Sequence, residues 1–403
     1  MNLSEFINGI SGGSFDGQFR MLYGSSDKAV LRARARYLSA AERFSGIYPE
    51  NSDIRIFTAP AAMRTGGDTF GEHGCVLAAA VSLDIIAVAA FHNQGIIRVK
   101  PEGADAFEVK LDSLEPKKEE KGTHAALIRG IAAGFREKGV ETEGFDAYIL
   151  SDIRSGSGLS ETAALEILIG TIISAGHGSG ETADIAEIGR NAETGYYGRT
   201  CREEERLVSA SGGFILLDTA CGEETAKHFS FGLERSGYSV CITNASGEDK
   251  TENISSENAA VSLLYENSEE EFYKKLPVLR KDYSDMELLR AAHFRSENER
   301  AAEEAEALSN GDTERFFELV DRSGASSSEL LRDSCDDGLA LGVMLSRRFL
   351  GGNGAVRIQS GMIQAFVPNY LAEEYAMEME RLFGFGNCYV LSLRNAGGYE
   401  LEL

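Results

Sequence analysis

Strand-like and helix-like patterns of apolar and polar residues follow one another along the whole chain. Residues 54–60, IRIFTAP, alternate as in a strand that ends at Pro60. Residues 75–91 are apolar enough for one or two buried strands. The same patterns predict further strands over residues 96–100, 145–150, 214–217, 239–243, 355–358, 362–367 and 388–394.

Helical spacing separates these strands. Residues 25–45 carry arginines among alanines and leucines, which predicts a solvated amphipathic helix that ends near Gly46. Residues 162–175 are apolar nearly all round, which predicts a buried helix. Other helices are predicted over residues 124–138, 268–307, 313–322, 328–348 and 370–383. Because strands and helices are mixed over the whole length, the pattern favours an α+β fold.

The composition limits the classes of partner. The chain has 403 residues, of which 43% are hydrophobic, and this length is typical of two domains or one large one. Its formal net charge is −24, which disfavours binding to nucleic acids and anionic membranes because both would repel it. Small phosphate ligands stay possible, since they need only a local group of donors. The simplest role of the acidic surface is solubility.

The six cysteines are widely spaced and form no CxxC pair. Such spacing favours a reduced, cytoplasmic protein over a disulfide scaffold or a zinc site. The first residues, MNLSEFINGISGG, lack a basic region followed by an apolar run, so we expect no signal peptide. Polar residues interrupt the most apolar stretch, residues 75–91, which is also too short for a membrane span.

Residues 154–166, RSGSGLSETAALE, join a predicted strand to the predicted buried helix. Glycines and serines before a helix favour anion binding, because the first N–H groups of the helix have no internal partner. The spacing matches neither GxxxxGK[ST] nor GxGxxG. The alternative is an ordinary helix cap, in which Ser160 is the N-cap and Glu161 lies in the first turn.

Motifs in order along nearly the whole chain resemble those of one kinase family. SGSGLSETAALE at residues 155–166 resembles the galactokinase phosphate loop GSGLSSSAAxE. Residues 57–84 resemble the motif SAPGRTEIGGNHTDHNHGRVLAAAVNLD, and residues 191–214 resemble AENVYFGKPSGLMDQMASSVGG. Further similar segments are residues 22–44, 293–300 and 355–368. The chain therefore resembles galactokinases, which belong to the galactokinase, homoserine, mevalonate and phosphomevalonate (GHMP) kinase superfamily.

This resemblance implies a two-domain α+β GHMP kinase fold with the active site in the cleft between the domains. We place the N-terminal domain at residues 1–212 and the C-terminal domain at residues 213–403. The resemblance also implies a sugar and a nucleotide as ligands, with ATP and Mg²⁺ as cofactors if the nucleotide site is functional. It says nothing about protein partners.

Individual site residues follow from the same resemblance. The phosphate-binding residues it implies are Gly156, Ser157, Gly158, Leu159, Ser160 and Thr162. The sugar-binding candidates are Asp68, Thr69 and His73. Thr162 and Glu193 are the candidates beside the metal, although Glu193 alternatively reads as a helix-surface glutamate.

Departures from the family occur at its catalytic residues. The arginine of APGR aligns with Ala62, and Arg64 lies two residues further, on the same side of an extended strand. Arg64 therefore either supplies the missing cation or is solvated. The aspartate of MDQ aligns with Glu205, which keeps the carboxylate on a longer side chain, and the glutamine aligns with Arg206. Glu205 and Arg64 are the catalytic candidates, while the charge run at 203–206 alternatively predicts a solvated face.

Other departures affect ligand binding. Phe70 stands where the family has a sugar-binding aspartate, and the glycine-rich C-terminal motif is reduced to residues 357–363, which predicts a short turn between two strands. Glu161 replaces a serine of the phosphate loop, and its charge is expected to repel a triphosphate. Two functions stay open: a divergent sugar kinase with weak or no galactokinase activity, and an inactive sugar- or nucleotide-binding regulator on the same fold.

Overall fold

Three helices form the N-terminal part of the computed structural model: α1 (Leu3–Gly12), α2 (Asp16–Tyr23) and α3 (Asp27–Ile47). Helix α3 confirms the helix predicted over residues 25–45, and Ser26 caps it. Helices α1 and α2 were not predicted. The structure describes residues 1–49, 53–70, 73–154, 159–177, 182–199, 202–219, 225–245, 269–330, 337–359 and 361–402.

A large sheet of eight strands follows. Its strands are β1 (Arg55–Phe70), β2 (His73–His92), β3 (Ile96–Pro101), β4 (Phe107–Lys110), β5 (Gly144–Ser151), β6 (Phe214–Asp218), β7 (Thr225–Phe229) and, from the end of the chain, β12 (Tyr399–Leu401). Six of them are ordered β12-β1-β2-β5-β3-β4, while β6 pairs with both β2 and β7. All pairs are antiparallel except β3 with β5. The apolar stretch at 75–91 is thus part of one long strand.

Four helices belong to the same half of the molecule: α4 (His124–Glu137), α5 (Glu161–His177), α6 (Thr182–Ala192) and α7 (Glu203–Ser211). Helix α5 is buried from Ala163 to Gly170, which confirms the buried helix predicted there. A π-helical turn, Glu193–Tyr197, continues α6. Helices α5 and α7 both pack on β1, so they meet where the phosphate loop ends.

A smaller antiparallel sheet has the order β11-β8-β10-β9. Its strands are β8 (Tyr238–Thr243), β9 (Ala355–Gln359), β10 (Met362–Pro368) and β11 (Cys388–Leu391). The accompanying helices are α8 (Glu269–Leu279), α9 (Asp285–Ser309), α10 (Thr313–Leu330), α11 (Asp337–Leu350) and α12 (Ala372–Phe383). Gln359 of β9 pairs with Met362 of β10, which agrees with the short connection that the reduced glycine motif predicted.

Strand β1 continues ten residues beyond its predicted end at Pro60, so the prediction of a strand end there is wrong. A proline lacks the N–H that a ladder needs, and such residues are tolerated at bulges. The pairing of β1 with β2 is irregular between Pro60 and Ala62, and the Pro60 carbonyl instead accepts a hydrogen bond from the Ser209 hydroxyl at 2.7 Å. The continuation carries Arg64 and Asp68 towards α7 and α9.

The α+β prediction is confirmed. One hydrophobic core includes residues of both sheets, such as Leu77 of β2 and Phe366 of β10. The large sheet also includes strands β6, β7 and β12, which come from the segment 213–403. The boundary between an N-terminal and a C-terminal domain at residue 212 stays a prediction. Among the described helices, none is both long enough and apolar enough to cross a membrane.

Candidate active site

Arg64 lies at the centre of the candidate site, buried between β1 and α7. Its Nη2 is 2.5 Å and its Nε 3.2 Å from Oε1 of Glu204, and its Nη1 donates to the Asp68 carboxylate. Ala62 packs with Val208 of α7, so Ala62 and Arg64 face the same helix. Burial lowers the pKa of Arg64, but the carboxylates of Glu204 and Asp68 outweigh this and raise it. The alternative of a solvated arginine is wrong.

Three of the four charged residues at the start of α7, Glu204, Glu205 and Arg206, are buried as well, so the alternative of a solvated face is wrong. Glu204 and Arg206 are almost fully inaccessible, and Glu205 is 9% exposed. Buried charges persist only where they have partners. Arg64 is the partner of Glu204, and buried carboxylates surround Arg206.

Glu205 lies beside the end of the phosphate loop, where the nearby Ser160 hydroxyl lowers the pKa of its carboxyl group. Arg202 approaches it at 3.4 Å from Nη1 to Oε1. Burial raises the pKa of Glu205, and the adjacent Glu204 raises it further. The cations Arg202 and Arg64 act in the opposite direction without cancelling the increase. Glu205 is therefore a better proton acceptor than an ordinary carboxylate once it is ionised.

Only the end of the phosphate loop lies within the described residues. Gly156, Ser157 and Gly158 lie outside them. The N–H of Ala163 donates to Oγ of Ser160 at 3.4 Å, so Ser160 caps α5 as well as contacting Glu205. The side chain of Leu159 packs in the core and leaves only its backbone for a ligand. Glu161 and Thr162, in the first turn of α5, are both half-buried.

The three sugar-binding candidates lie on the hairpin of β1 and β2. Asp68 is half-buried and bound to Arg64. Thr69 and His73 are each paired in the backbone ladder, and their side chains lie outside the described residues. Glu72, a further polar residue of this segment, also lies outside them. Asp68 is close enough to His293 of α9 to act on its ionisation, so this hairpin meets α9.

Glu193, the proposed metal ligand, is buried rather than on a helix surface. Its Oε2 accepts a hydrogen bond from Nη1 of Arg206 at 3.1 Å. The same Nη1 is 3.3 Å from Oε2 of Glu166, and Nη2 is 3.0 Å from Oε2 of Glu203. Since Glu193 already binds a cation, the residues present do not fit a magnesium ion coordinated by Glu193.

Several charged residues near the site were missed by sequence reasoning. Glu304 of α9 binds Nη1 of Arg357 at 2.7 Å, and both are buried at the junction of the two sheets. Gln364 of β10 donates to the carbonyl of Arg64 at 3.2 Å and accepts from Arg357 at 2.8 Å. Single charges within apolar segments, Glu166 in ALEILIG and Arg357 in AVRIQ, were the available signal.

Known galactokinases are similar to this chain over most of its length. The galactokinase of Actinobacillus pleuropneumoniae serotype 5b (strain L20) is 28% identical over 341 residues, or 80% of this chain and 86% of the relative. The galactokinase of Streptomyces coelicolor is 25% identical over 343 residues, or 79% and 87%. No family model matches the chain.

Solved structures show the same fold. The Lactococcus lactis galactokinase complexed with galactose has a TM-score of 0.75 at 20% identity, covering 89% of this chain and 98% of the other. A mevalonate kinase has a TM-score of 0.60 at 15% identity, covering 84% and 98%. The chain is therefore similar to galactokinases in sequence, and it has the fold of GHMP kinases such as mevalonate kinase. This galactokinase-like chain differs from the galactokinase motifs at several charged residues, such as Glu205 and Arg206.

Proposed function

We propose that this galactokinase-like protein binds a sugar and ATP and acts as a divergent sugar phosphotransferase with weak galactokinase activity. The proximity of Glu205 to Ser160 supports the proposal, because Glu205 is a buried carboxylate beside the end of the phosphate loop. A proton acceptor for a sugar hydroxyl is needed at such a position. Bound ATP would supply the phosphoryl group.

In this proposal Glu205 accepts the proton of the attacking sugar hydroxyl. Arg64 does not contact the sugar but acts on the ionisation of Glu205 through its charge. Arg64 is held by Glu204 and Asp68, and its charge limits the increase in the pKa of Glu205. It does not contribute a free cation to the transferred phosphate. Phosphoryl transfer depends on positioned positive charge, so slow turnover is expected.

The experiment is an assay of ADP release with ATP and a panel of sugars that includes galactose. Glu205→Gln should lower turnover by about 10²–10⁴-fold, the usual contribution of a general base. Glu203→Gln is the matched control, because Glu203 lies on the same helix but binds Arg206. We expect it to stay within a few-fold of the wild type, and equal activity of Glu205→Gln and the wild type would exclude Glu205 as the proton acceptor.

A second candidate function is an inactive sugar- or nucleotide-binding regulator. It is favoured by the pairing of Arg64 with Glu204 and Asp68 and of Arg206 with Glu193, because these two guanidinium groups are already bound to protein carboxylates. Calorimetric binding of galactose or ATP without turnover on any sugar would support this candidate. Absence of binding to either ligand would contradict both functions.

A further inference from the structure

Three carboxylates from three elements surround the guanidinium of Arg206. Glu166 comes from α5, Glu193 from the π-helical turn after α6, and Glu203 from α7. Their contacts to Arg206 measure 3.3, 3.1 and 3.0 Å. Arg206 and Glu166 are completely buried, so solvent does not screen the group.

This cluster lies one helical turn from Thr162, a residue that the galactokinase resemblance assigns to the nucleotide site. Glu166 lies four residues after Thr162 on α5, so the two share one helix face a single turn apart. Thr162 and Glu193 are the pair to which the galactokinase resemblance assigns the metal. Arg206 aligns with the neutral glutamine of the MDQ motif, so this chain has one more positive charge here than the motif has.

We infer that the guanidinium of Arg206 permanently takes the place of the divalent cation at Glu193, so that this protein binds its nucleotide without a metal held by Glu193. The statement about the nucleotide rests on the proposed function. The position of the Arg206 guanidinium at Glu193 does not depend on that function. The protein supplies the cation from its own chain.

Simple electrostatics supports this assignment. Mg²⁺ binds carboxylate oxygens at about 2.0–2.1 Å, so a magnesium ion on Glu193 would lie within a few ångströms of the guanidinium. Two cations that close in a buried site repel each other strongly.

The test measures Mn²⁺ binding by electron paramagnetic resonance and the melting temperature of the nucleotide-free protein in Mn²⁺ and in EDTA. In the wild type we expect no bound Mn²⁺ and an unchanged melting temperature. In Arg206→Gln we expect a melting temperature about 4–6 °C lower in EDTA, because buried carboxylates lose their cation. Mn²⁺ should bind to this variant and restore at least half of the loss.

Arg190→Gln is the matched control, because Arg190 also contacts Glu203, at 3.8 Å, but is exposed. It should behave as the wild type. Mn²⁺ binding by the wild type that Glu193→Gln removes would overturn the inference, and so would an Arg206→Gln variant that folds but neither binds Mn²⁺ nor is stabilised by it.

Calorimetry with ADP provides a second measurement that does not depend on the folding of Arg206→Gln. Replacing MgCl2 by EDTA should change the affinity of the wild type by less than about twofold, since a metal contact at a single carboxylate would be worth more. A tenfold loss in EDTA would contradict the inference. If ADP does not bind at all, the proposed function fails, while the comparison of Mn²⁺ binding by the wild type and Glu193→Gln still decides the inference.

Discussion

The three charged residues that begin the buried face of α7 have three different partners. Glu204 binds Arg64, Glu205 contacts Ser160, and Arg206 binds Glu193 and two other glutamates. Truncating one partner of such a buried pair costs about 3–5 kcal/mol, because the other charge stays buried and unpaired. Charged side chains that the sequence pattern suggests are exposed to solvent therefore form buried ion pairs that connect the elements around the candidate site.

Glu161 is the residue whose effect on nucleotide binding is simplest to predict. It occupies the first position of α5, where its negative charge competes with a phosphate for the positive helix end. We expect Glu161→Ser to strengthen ATP binding by about twofold to fivefold, the equivalent of about 0.3–1 kcal/mol. Isothermal titration calorimetry measures the change.

Glu187→Ser is the control for this substitution, because Glu187 is an exposed glutamate on α6. It should leave the affinity for ATP unchanged. If Glu161→Ser also leaves it unchanged, the side chain of Glu161 points away from the nucleotide, and the loop resembles a phosphate site only in sequence.

At the scale of elements, the hairpin of β1 and β2 brings the site together by close backbone packing. Gly66 faces the Glu304 carboxylate, and Gly67 adopts a φ of 72° against the Cys75 carbonyl. A Cβ atom on Gly67 would lie 1.9 Å from that carbonyl oxygen and 2.9 Å from Cβ of Ala301. Only glycine allows α9 to approach the hairpin this closely.

We predict that Gly67→Ala destabilises the protein far more than Gly95→Ala. Both glycines have positive φ, 72° and 67°, so both substitutions cost about 1–2 kcal/mol of backbone strain. A Cβ on Gly95 meets no atom within 4 Å, whereas Gly67 must also displace backbone. Urea unfolding should show an additional loss of a few kcal/mol for Gly67→Ala, or no folded protein. Equal losses in the two variants would show that the hairpin can move away from α9.

The prediction of elements succeeded where one physical signal was dominant. Helix α5 is apolar all round and was predicted nearly to its ends, and strands β9 and β10 were found with their short turn. Helix α7 was not predicted, and the alternative of a solvated charge run there is wrong because its charges pair with residues on other elements. Local pattern contains no information about such partners.

At the scale of the whole molecule, a buried polar junction connects the two sheets. Glu304 of α9 binds Arg357 of the small sheet and lies against Gly66 of the large sheet. Gln359 and Gln364 of the small sheet donate to the carbonyls of Gly67 and Arg64 at 3.3 and 3.2 Å. The candidate site thus depends on how the sheets are joined.

This junction predicts a pH dependence of stability. Burial raises the pKa of Glu304 from 4.5 to about 7, although Arg357 opposes the increase. The folded protein therefore retains a proton that the unfolded chain releases, so the stabilising effect is complete at low pH. It is lost as the pH rises from about 4.5 to 7, by up to about 3 kcal/mol in the free energy of unfolding.

Glu304→Gln should remove this component of the pH dependence, because the amide does not titrate. The measurement is the free energy of urea unfolding between about pH 5 and pH 7. Glu306→Gln, an exposed position on the same helix, should keep the slope of the wild type. If Glu304→Gln and the wild type have the same slope, Glu304 remains ionised in the folded protein.

The sequence by itself determined the α+β class, most helices and strands, and the resemblance to galactokinases, because these depend on local periodicity and on the order of motifs. Only the tertiary structure decided that Arg64, Glu193 and the charges of α7 are buried, and which carboxylate each arginine binds. The reason is that the burial and pairing of a charge depend on residues of other elements, which are 140 positions apart for Arg64 and Glu204 and 40 for Arg206 and Glu166. The loop at 154–166 resembles the galactokinase phosphate loop in sequence. The nearby guanidinium groups of Arg64 and Arg206 are bound to carboxylates of the protein.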